Sequence, residues 1–307
     1  MAKEVRSVAG RVVAITGGAR GIGRATAEAL VRRGAKVAIG DLDPELTEQV
    51  ADEIGADTIG LRLDVTDRDS FESFLAQVEE RLGPLDVLVN NAGIMPLGRL
   101  AEEDDATAKR MVDINLHGVI YGTKLAIPRL ERRGIGHIVN VASTAGKGGF
   151  PGGATYCATK HAVVGLSEAV RAELRDTGVE VSVVMPVVVK TELATGLEQT
   201  RGLKAVEATD VAEAIVAALE RPKFDVFVPA SAGYISKVMG MLPRGGREWV
   251  ARALKADKVL ADADPAARAA YEDRAAHSEP GLEPEALEAA AGESSSESDE
   301  TRELAGR

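Results

Sequence analysis

Aromatic residues are scarce at 3% of 307 positions, with one tryptophan and one cysteine. A core with so few rings has to be built from Val, Ile, Leu and Ala, which suits parallel strands buried on both faces. The single cysteine, Cys157, excludes an internal disulfide and a Cys-rich metal site. It fits a reducing cytoplasm, and the opening "MAKEVRSVAGRVVAITGG" lacks the apolar stretch of a signal peptide. No hydrophobic run approaches the length of a bilayer span. His117, His137, His161 and His277 lie far apart with no ligand spacing, so no metal site is expected. The net charge of −11 comes without the clustered Lys and Arg that phosphate binding needs, which argues against a nucleic-acid partner. Part of the acidity lies in "GESSSESDETRE" from Gly292, a low-complexity stretch that cannot bury enough surface to fold by itself.

What remains has the composition of an ordinary soluble protein, 45% apolar and 28% charged, with length for one large α/β domain or two small ones. Short apolar runs, "RVVAIT", "KVAIG", "TIGLRL", "LDVLVN", "HIVNVAS", "VEVSVVM" and "FDVFVP", alternate with amphipathic helical stretches. That order predicts an α/β fold, a doubly wound parallel sheet of about seven strands with helices on both faces. The alternation stops near Pro229. Residues 231–262 read as an amphipathic helical extension: Ile235, Val238, Met239 and Leu242 form one apolar stripe, and Trp249, Val250 and Leu254 a second. Arg244, Arg247, Arg252, Lys255 and Lys258 surround these stripes. Such a segment docks on its own domain, joins a dimer or lies on a membrane surface, and docking is the simplest expectation. Residues 263–307 read as an acidic, low-complexity tail without order.

"TGGARGIG" (16–23) follows the first strand and opens the first helix. Gly17, Gly21 and Gly23 let the backbone turn sharply and approach a pyrophosphate, whose charge the helix N-terminus favours. The spacing is G-x-x-x-G-x-G rather than the commoner G-x-G-x-x-G. Asp41 ends the second strand, 18 residues beyond Gly23, where such folds place an acid on the adenosine ribose. It reads equally as an exposed acid opening the turn "DLDPE". As a ribose ligand it repels a 2′-phosphate, which selects NAD(H), although Arg20 could reach such a phosphate. In "TYCATK", Tyr156 and Lys160 share one helix face, one turn apart. Taken alone, that pair is more simply packing plus a surface charge.

Together these pieces resemble the short-chain dehydrogenase/reductase family from about Arg11 to Pro229. The match takes in Thr16, Gly17, Arg20, Gly21, Ile22 and Gly23 in the cofactor turn, Asp64 and Val65 in "LDV", and Asn91, Ala92 and Gly93 in "NNAG". It continues through Asn115 in "DINLHG", Ser143 in "IVNVAS", and Tyr156 with Lys160. The resemblance implies a Rossmann-like, dinucleotide-binding catalytic domain over residues 1–230, with Asn115, Ser143, Tyr156 and Lys160 as the catalytic tetrad. Pro186, Val189 and Thr191 are its further cofactor contacts. One departure stands out: the family's Pro-Gly after the sixth strand is Pro186–Val187 here, so the loop over the nicotinamide is expected to shift.

Within that family Tyr156 is the acid/base of hydride transfer. A free phenol has a pKa of about 10. The Lys160 ammonium, with the charge of oxidised nicotinamide, is expected to favour phenolate. By the resemblance, Lys160 also holds the ribose hydroxyls, Asn115 holds a water linking Lys160 to solvent, and Ser143 bonds the substrate oxygen. Cys157 points to another side of the helix and reads as packing. The loop from Val187 to Ala208 is partly apolar and has no arginine pair for a phosphate. The expected substrate is therefore an apolar secondary alcohol or ketone of steroid, retinoid or long-chain type. The runner-up is a 3-oxoacyl thioester, weakened because the C-terminal sequence departs from that branch's usual ending. From another class, a dinucleotide-binding sensor that lost its chemistry stands open, with the complete tetrad against it. A homodimer or homotetramer and a peripheral membrane contact through the extension complete the expectations.

Overall fold

The computed structural model describes residues 5–55, 57–197, 204–254 and 258–277. Lys255, positions 198–203 of the expected substrate loop, and the acidic end lie outside the described residues.

The seven apolar runs form the seven strands β1 (Val12–Thr16), β2 (Lys36–Asp41), β3 (Thr58–Arg62), β4 (Val87–Asn90), β5 (Gly136–Val141), β6 (Val179–Pro186) and β7 (Asp225–Val228). They make one sheet in the order β3-β2-β1-β4-β5-β6-β7. Every pairing is parallel. The order reverses between β1 and β4, so the loops leaving those two strands diverge and open a crevice at the carboxyl edge.

Alternate residues of each strand supply two cores. Val13 and Ile15 of β1, with Val37 and Ile39 of β2, meet α1 (Gly21–Val31), α2 (Pro44–Ile54) and α7 (Ala208–Glu220) on one face. Val12, Ala14 and Ala38 meet α3 (Arg68–Leu82), α5 (Gly118–Arg133) and α6 (Ala154–Glu173) on the other. Because both faces are covered, the strands read as continuous apolar runs rather than alternating ones. Phe71 and Phe74 pack edge to face in the second core, ring centres 6.3 Å apart. Branched aliphatics do the rest, as the scarcity of rings requires.

Before α5, α4 (Asp105–Val112) widens into a π-helical turn at Asp113–His117. Beyond β7 the chain forms α8 (Ala230–Met241), α9 (Arg244–Ala253) and α10 (Pro265–His277). The last of these corrects the expectation that order ends near residue 262. Composition did suggest a tail, but "DADPAAR" holds a helix start, Asp264 accepting from the Ala266 N–H at 2.9 Å ahead of a proline at the first helical position. Arg268, only 2% exposed, then anchors α10 to the domain.

His137 is buried at the start of β5. The Ser182 hydroxyl gives its proton to the Lys223 carbonyl at 2.7 Å, so it must accept from His137 Nε2–H at 2.8 Å. Burial lowers this imidazole from 6.5 to about 3, with Arg6 and Arg11 acting in the same direction. The unfolded chain binds a proton near 6.5 that the folded chain refuses, so this contribution is full above that pH and is lost as pH falls toward about 3. Urea unfolding between pH 7 and pH 4 should show stability falling, by up to ~1.4 kcal/mol per pH unit from this group. His137→Gln should flatten the slope; equal slopes would exclude the histidine as its source.

Candidate active site

The crevice is a cleft of about 1040 Å³ running from the glycine loop to the C-terminal helices. At its first end, Thr16 and Asn91 lock the β1 and β4 loops together. Thr16 Oγ1 accepts the Asn91 and Ala92 backbone N–H groups, both at 3.0 Å. Asn91 Nδ2 donates to the carbonyls of Thr16 at 3.0 Å and Gly17 at 2.9 Å. Gly17 takes φ +63°, a left-handed conformation that L side chains rarely adopt. A Cβ on Gly23 would fall 2.1 Å from the Gly17 carbonyl oxygen. The first turn of α1 has no side-chain cap and no acid, whereas Asp43, Asp67 and Asp104 cap α2, α3 and α4. Its orphan N–H groups therefore face the cleft with a positive dipole end.

Asp41 lies where β2 ends, accepting the Ala19 N–H at 3.1 Å and the Leu42 N–H at 2.9 Å. Burial raises its pKa, and those two bonds and Arg20 oppose the rise. Arg20 is already flanked by Asp43 at 3.6 Å and Glu192 at 3.9 Å. Asp64 is buried and holds Thr66 through the backbone N–H at 2.9 Å and the hydroxyl at 2.7 Å. Ile22, Val65, Gly93, Pro186, Val189 and Thr191 all line the same cleft. Thr191 faces Gly21, whose added Cβ would sit 3.1 Å from its methyl. Val187 lies in a bend just past β6, its N–H donating to the Val228 carbonyl at 2.9 Å.

The chemistry-bearing side chains meet midway. Lys160 is 5% exposed, and among the described residues its one hydrogen bond is to the Val141 carbonyl at 3.0 Å. Burial lowers it to about 8. An ammonium has three donors, so two remain to face the cleft. Tyr156 lies beside it, ring centre 5.7 Å from Lys160 Nζ. The protein's own burial pushes Tyr156 up to about 12, the hydrogen bond with Ser143 moderating the rise, and the expected lowering rests on the added charge of oxidised nicotinamide. Desolvation penalises the phenolate more than its surroundings stabilise it. Ser143 follows β5, its hydroxyl accepting the Ala145 N–H at 3.1 Å.

Asn115, wholly buried in the π turn, exchanges two 2.8 Å hydrogen bonds with the backbone of Ile94. Its amide thus fixes the β4 loop beside Gly93, where an added Cβ would lie 3.1 Å from Asn115 Oδ1 and 3.6 Å from Lys160 Nζ. Cys157 packs in an apolar cluster with Met95, Met111, Tyr156, Val259 and Leu260. Val259, Leu260 and Tyr271 line the cleft from the C-terminal segment and were missed in the sequence. The helix start at Asp264, with Arg268, Tyr271 and Glu272 three and four residues apart, was the signal available.

The family model for short chain dehydrogenases matches residues 11–202. Over 182 residues the chain is 42% identical to the 2,5-dichloro-2,5-cyclohexadiene-1,4-diol dehydrogenase of Sphingobium indicum, covering 58% of this chain and 73% of that one. A sorbitol dehydrogenase of Cereibacter sphaeroides is 38% identical over 190 residues, 62% and 74% of the two chains. Among solved structures, a short chain dehydrogenase/reductase from Burkholderia phymatum in complex with NAD superposes with TM-score 0.71 at 27% identity, covering 76% of this chain and 94% of that one. The 3-ketoacyl-(acyl-carrier-protein) reductase of Brucella melitensis complexed with NADH gives 0.67 at 29% identity, over 72% and 98%.

The glycine cradle, the uncapped helix end and the two unused Lys160 donors fit a nicotinamide dinucleotide. Gly23→Ala should weaken NADH binding, read by fluorescence titration, at least tenfold and cost about 1–3 kcal/mol of stability through overpacking. Gly98→Ala, where nothing lies within 4 Å of the added carbon, should change neither. Equal effects would show that the cradle is not needed.

Proposed function

The chain belongs to the short-chain dehydrogenase/reductase family, and from that premise we propose that it interconverts a secondary alcohol and a ketone on an apolar substrate. The observation that carries this reading is the placement of Ser143, Tyr156 and Lys160 around one point of the cleft. Bound there, the dinucleotide supplies or accepts the hydride. In reduction, the substrate carbonyl carbon gains that hydride and its oxygen takes the Tyr156 proton, leaving an alcohol and a phenolate. Oxidation reverses both transfers. Ser143 offers a hydroxyl to the oxygen as charge develops on it. The Lys160 ammonium stabilises the phenolate, and its spare donors hold the ribose hydroxyls.

Reduction should decline as pH rises through about 8, where Lys160 loses its charge. Tyr156→Phe should lower kcat by ~10²–10⁴-fold, the usual share of general acid–base catalysis, while NADH still binds. Normal turnover in that variant would exclude Tyr156 as the acid, and loss of NADH binding as well would return it to a structural role.

Asp41, with Arg20 already flanked by Asp43 and Glu192, supports NAD(H) over NADP(H); a higher kcat/KM with NADP would overturn that preference. The apolar cluster at the substrate end, with Met95, Phe150, Leu193 and Leu260, supports an apolar substrate. The likeness to a 3-ketoacyl-(acyl-carrier-protein) reductase favours a 3-oxoacyl thioester as the second reading. Turnover of such a thioester above that of simple alcohols and ketones would select it.

The C-terminal helices support delivery of that substrate from a lipid surface. Of the nine large apolar side chains exposed among the described residues, Tyr234, Ile235, Val238, Met241, Trp249 and Leu254 belong to this segment. Lys237, Arg244, Arg247 and Arg252 accompany them. The protein should float with vesicles containing anionic lipid at low salt, and substitution of Met241 and Trp249 by Ser should abolish this. Failure to float would remove the membrane reading.

A further inference from the structure

Arg268 is nearly inaccessible, yet four of the five N–H donors of its guanidinium are engaged. Nη1 donates to the carbonyls of Leu193 and Thr195, both at 3.1 Å, and Nη2 donates to the Met95 carbonyl at 2.7 Å. Nε donates to Glu272 at 2.8 Å. Leu193 and Thr195 belong to the loop after β6, and Met95 to the loop after β4. One side chain of α10 therefore ties together the two walls of the substrate end. The tie is reinforced at Gly196, whose carbonyl accepts the Asp264 N–H at 2.9 Å. At φ +75° a Cβ there would lie 2.9 Å from the Asp264 carbonyl oxygen.

Tyr271 stands next to this arginine on the same helix, its ring centre 5.0 Å from the guanidinium carbon. Its hydroxyl oxygen accepts the Met95 N–H at 2.7 Å. The hydroxyl proton has no acceptor among the described residues, and Tyr271 lines the cleft that holds Tyr156 and Ser143. Burial keeps the Tyr271 phenol protonated. Such a group is a fixed donor. A donor buried without an acceptor is costly, and a site built this way discriminates strongly against a ligand lacking the matching oxygen.

Building on the reading of Tyr156 as the reacting centre, we propose that α10 completes the substrate site. Arg268 is a positioning residue that latches the two loops, and Tyr271 donates a hydrogen bond to a second oxygen of the substrate. The preferred substrate is then an apolar frame bearing two oxygen functions, one oxidised or reduced at Tyr156 and the other, a hydroxyl or carbonyl, held by Tyr271.

Steady-state kinetics with the full chain test this on paired alcohols and ketones, each apolar frame offered with and without a second oxygen (cyclohexanol against cyclohexane-1,2-diol, and longer homologues). The two-oxygen member should show at least tenfold higher kcat/KM. Tyr271→Phe should reduce that ratio to within about twofold while NADH affinity is unchanged; a merely structural tyrosine would leave the ratio intact. Arg268→Lys keeps the charge but loses the fork, and it should raise KM about tenfold with kcat within twofold. Should that variant fold poorly, Tyr271→Phe alone decides. Turnover without preference for the second oxygen, or an unchanged ratio in Tyr271→Phe, would overturn this proposal and leave the Tyr156 reading standing. NADH binding with no turnover of any pair would defeat both.

Discussion

A buried ammonium with a single carbonyl for partner is the constraint around which the site is arranged. Removing a charge from water costs several kcal/mol, and Lys160 recovers little of that from Val141. Burial has drawn its pKa down to about 8, so at neutral pH the charge persists only narrowly. A protein gains no stability from such a group, and its retention makes sense where the unused donors meet a ligand. The same desolvation acts on Tyr156 in the opposite direction, raising the phenol to about 12. A weakly held proton on the lysine beside a strongly held proton on the tyrosine is a pair of environments pushing two titratable groups toward separate duties. That separation is the mark by which acid/base roles are recognised.

The positioning of these two groups depends on features far from them in sequence. Asn115 reaches the site because α4 opens into a π turn, and its amide is spent on Ile94. Thr16 and Asn91 join the loops of β1 and β4 by four hydrogen bonds. The crevice is thus braced on polar contacts that bridge the point where the strand order reverses. Gly93 sits where an added carbon would crowd Asn115 Oδ1 and come into ordinary contact with Lys160 Nζ.

The fold was legible in the sequence because strands buried on both faces leave continuous runs of Val, Ile and Leu. All seven were recognisable before their pairing was known. The glycine loop and the cluster of Ser143, Tyr156 and Lys160 were legible as motifs because a dinucleotide site and acid/base chemistry would fix their residue types and spacing. Two things were not. Burial opposes the ionisation of Tyr156, and burial is a property of the packed cleft rather than of Y-x-x-x-K. The helix α10 is held by the polar side chains of Arg268, Tyr271 and Arg274 in an Ala-rich segment without an apolar stripe, so hydrophobic periodicity could not reveal it. Its signals were a capping aspartate before a proline and the spacing of Arg268, Tyr271 and Glu272.

The C-terminal segment therefore separates into two parts with different physics. In α8 and α9, Ile235, Met239 and Val250 face the cleft while Val238, Met241 and Trp249 remain open to solvent, an arrangement with little to fix it against the domain. In α10, Arg268 makes four hydrogen bonds and Tyr271 one, nearly all to backbone. Backbone carbonyls are acceptors that loop side-chain substitutions leave in place, so the latch constrains the loops' path while leaving their side chains free to vary. A cleft that admits a ligand and then excludes water is served by one yielding wall and one firm one. The exposed pair α8–α9 supplies the first, and the arginine-pinned α10 supplies the second.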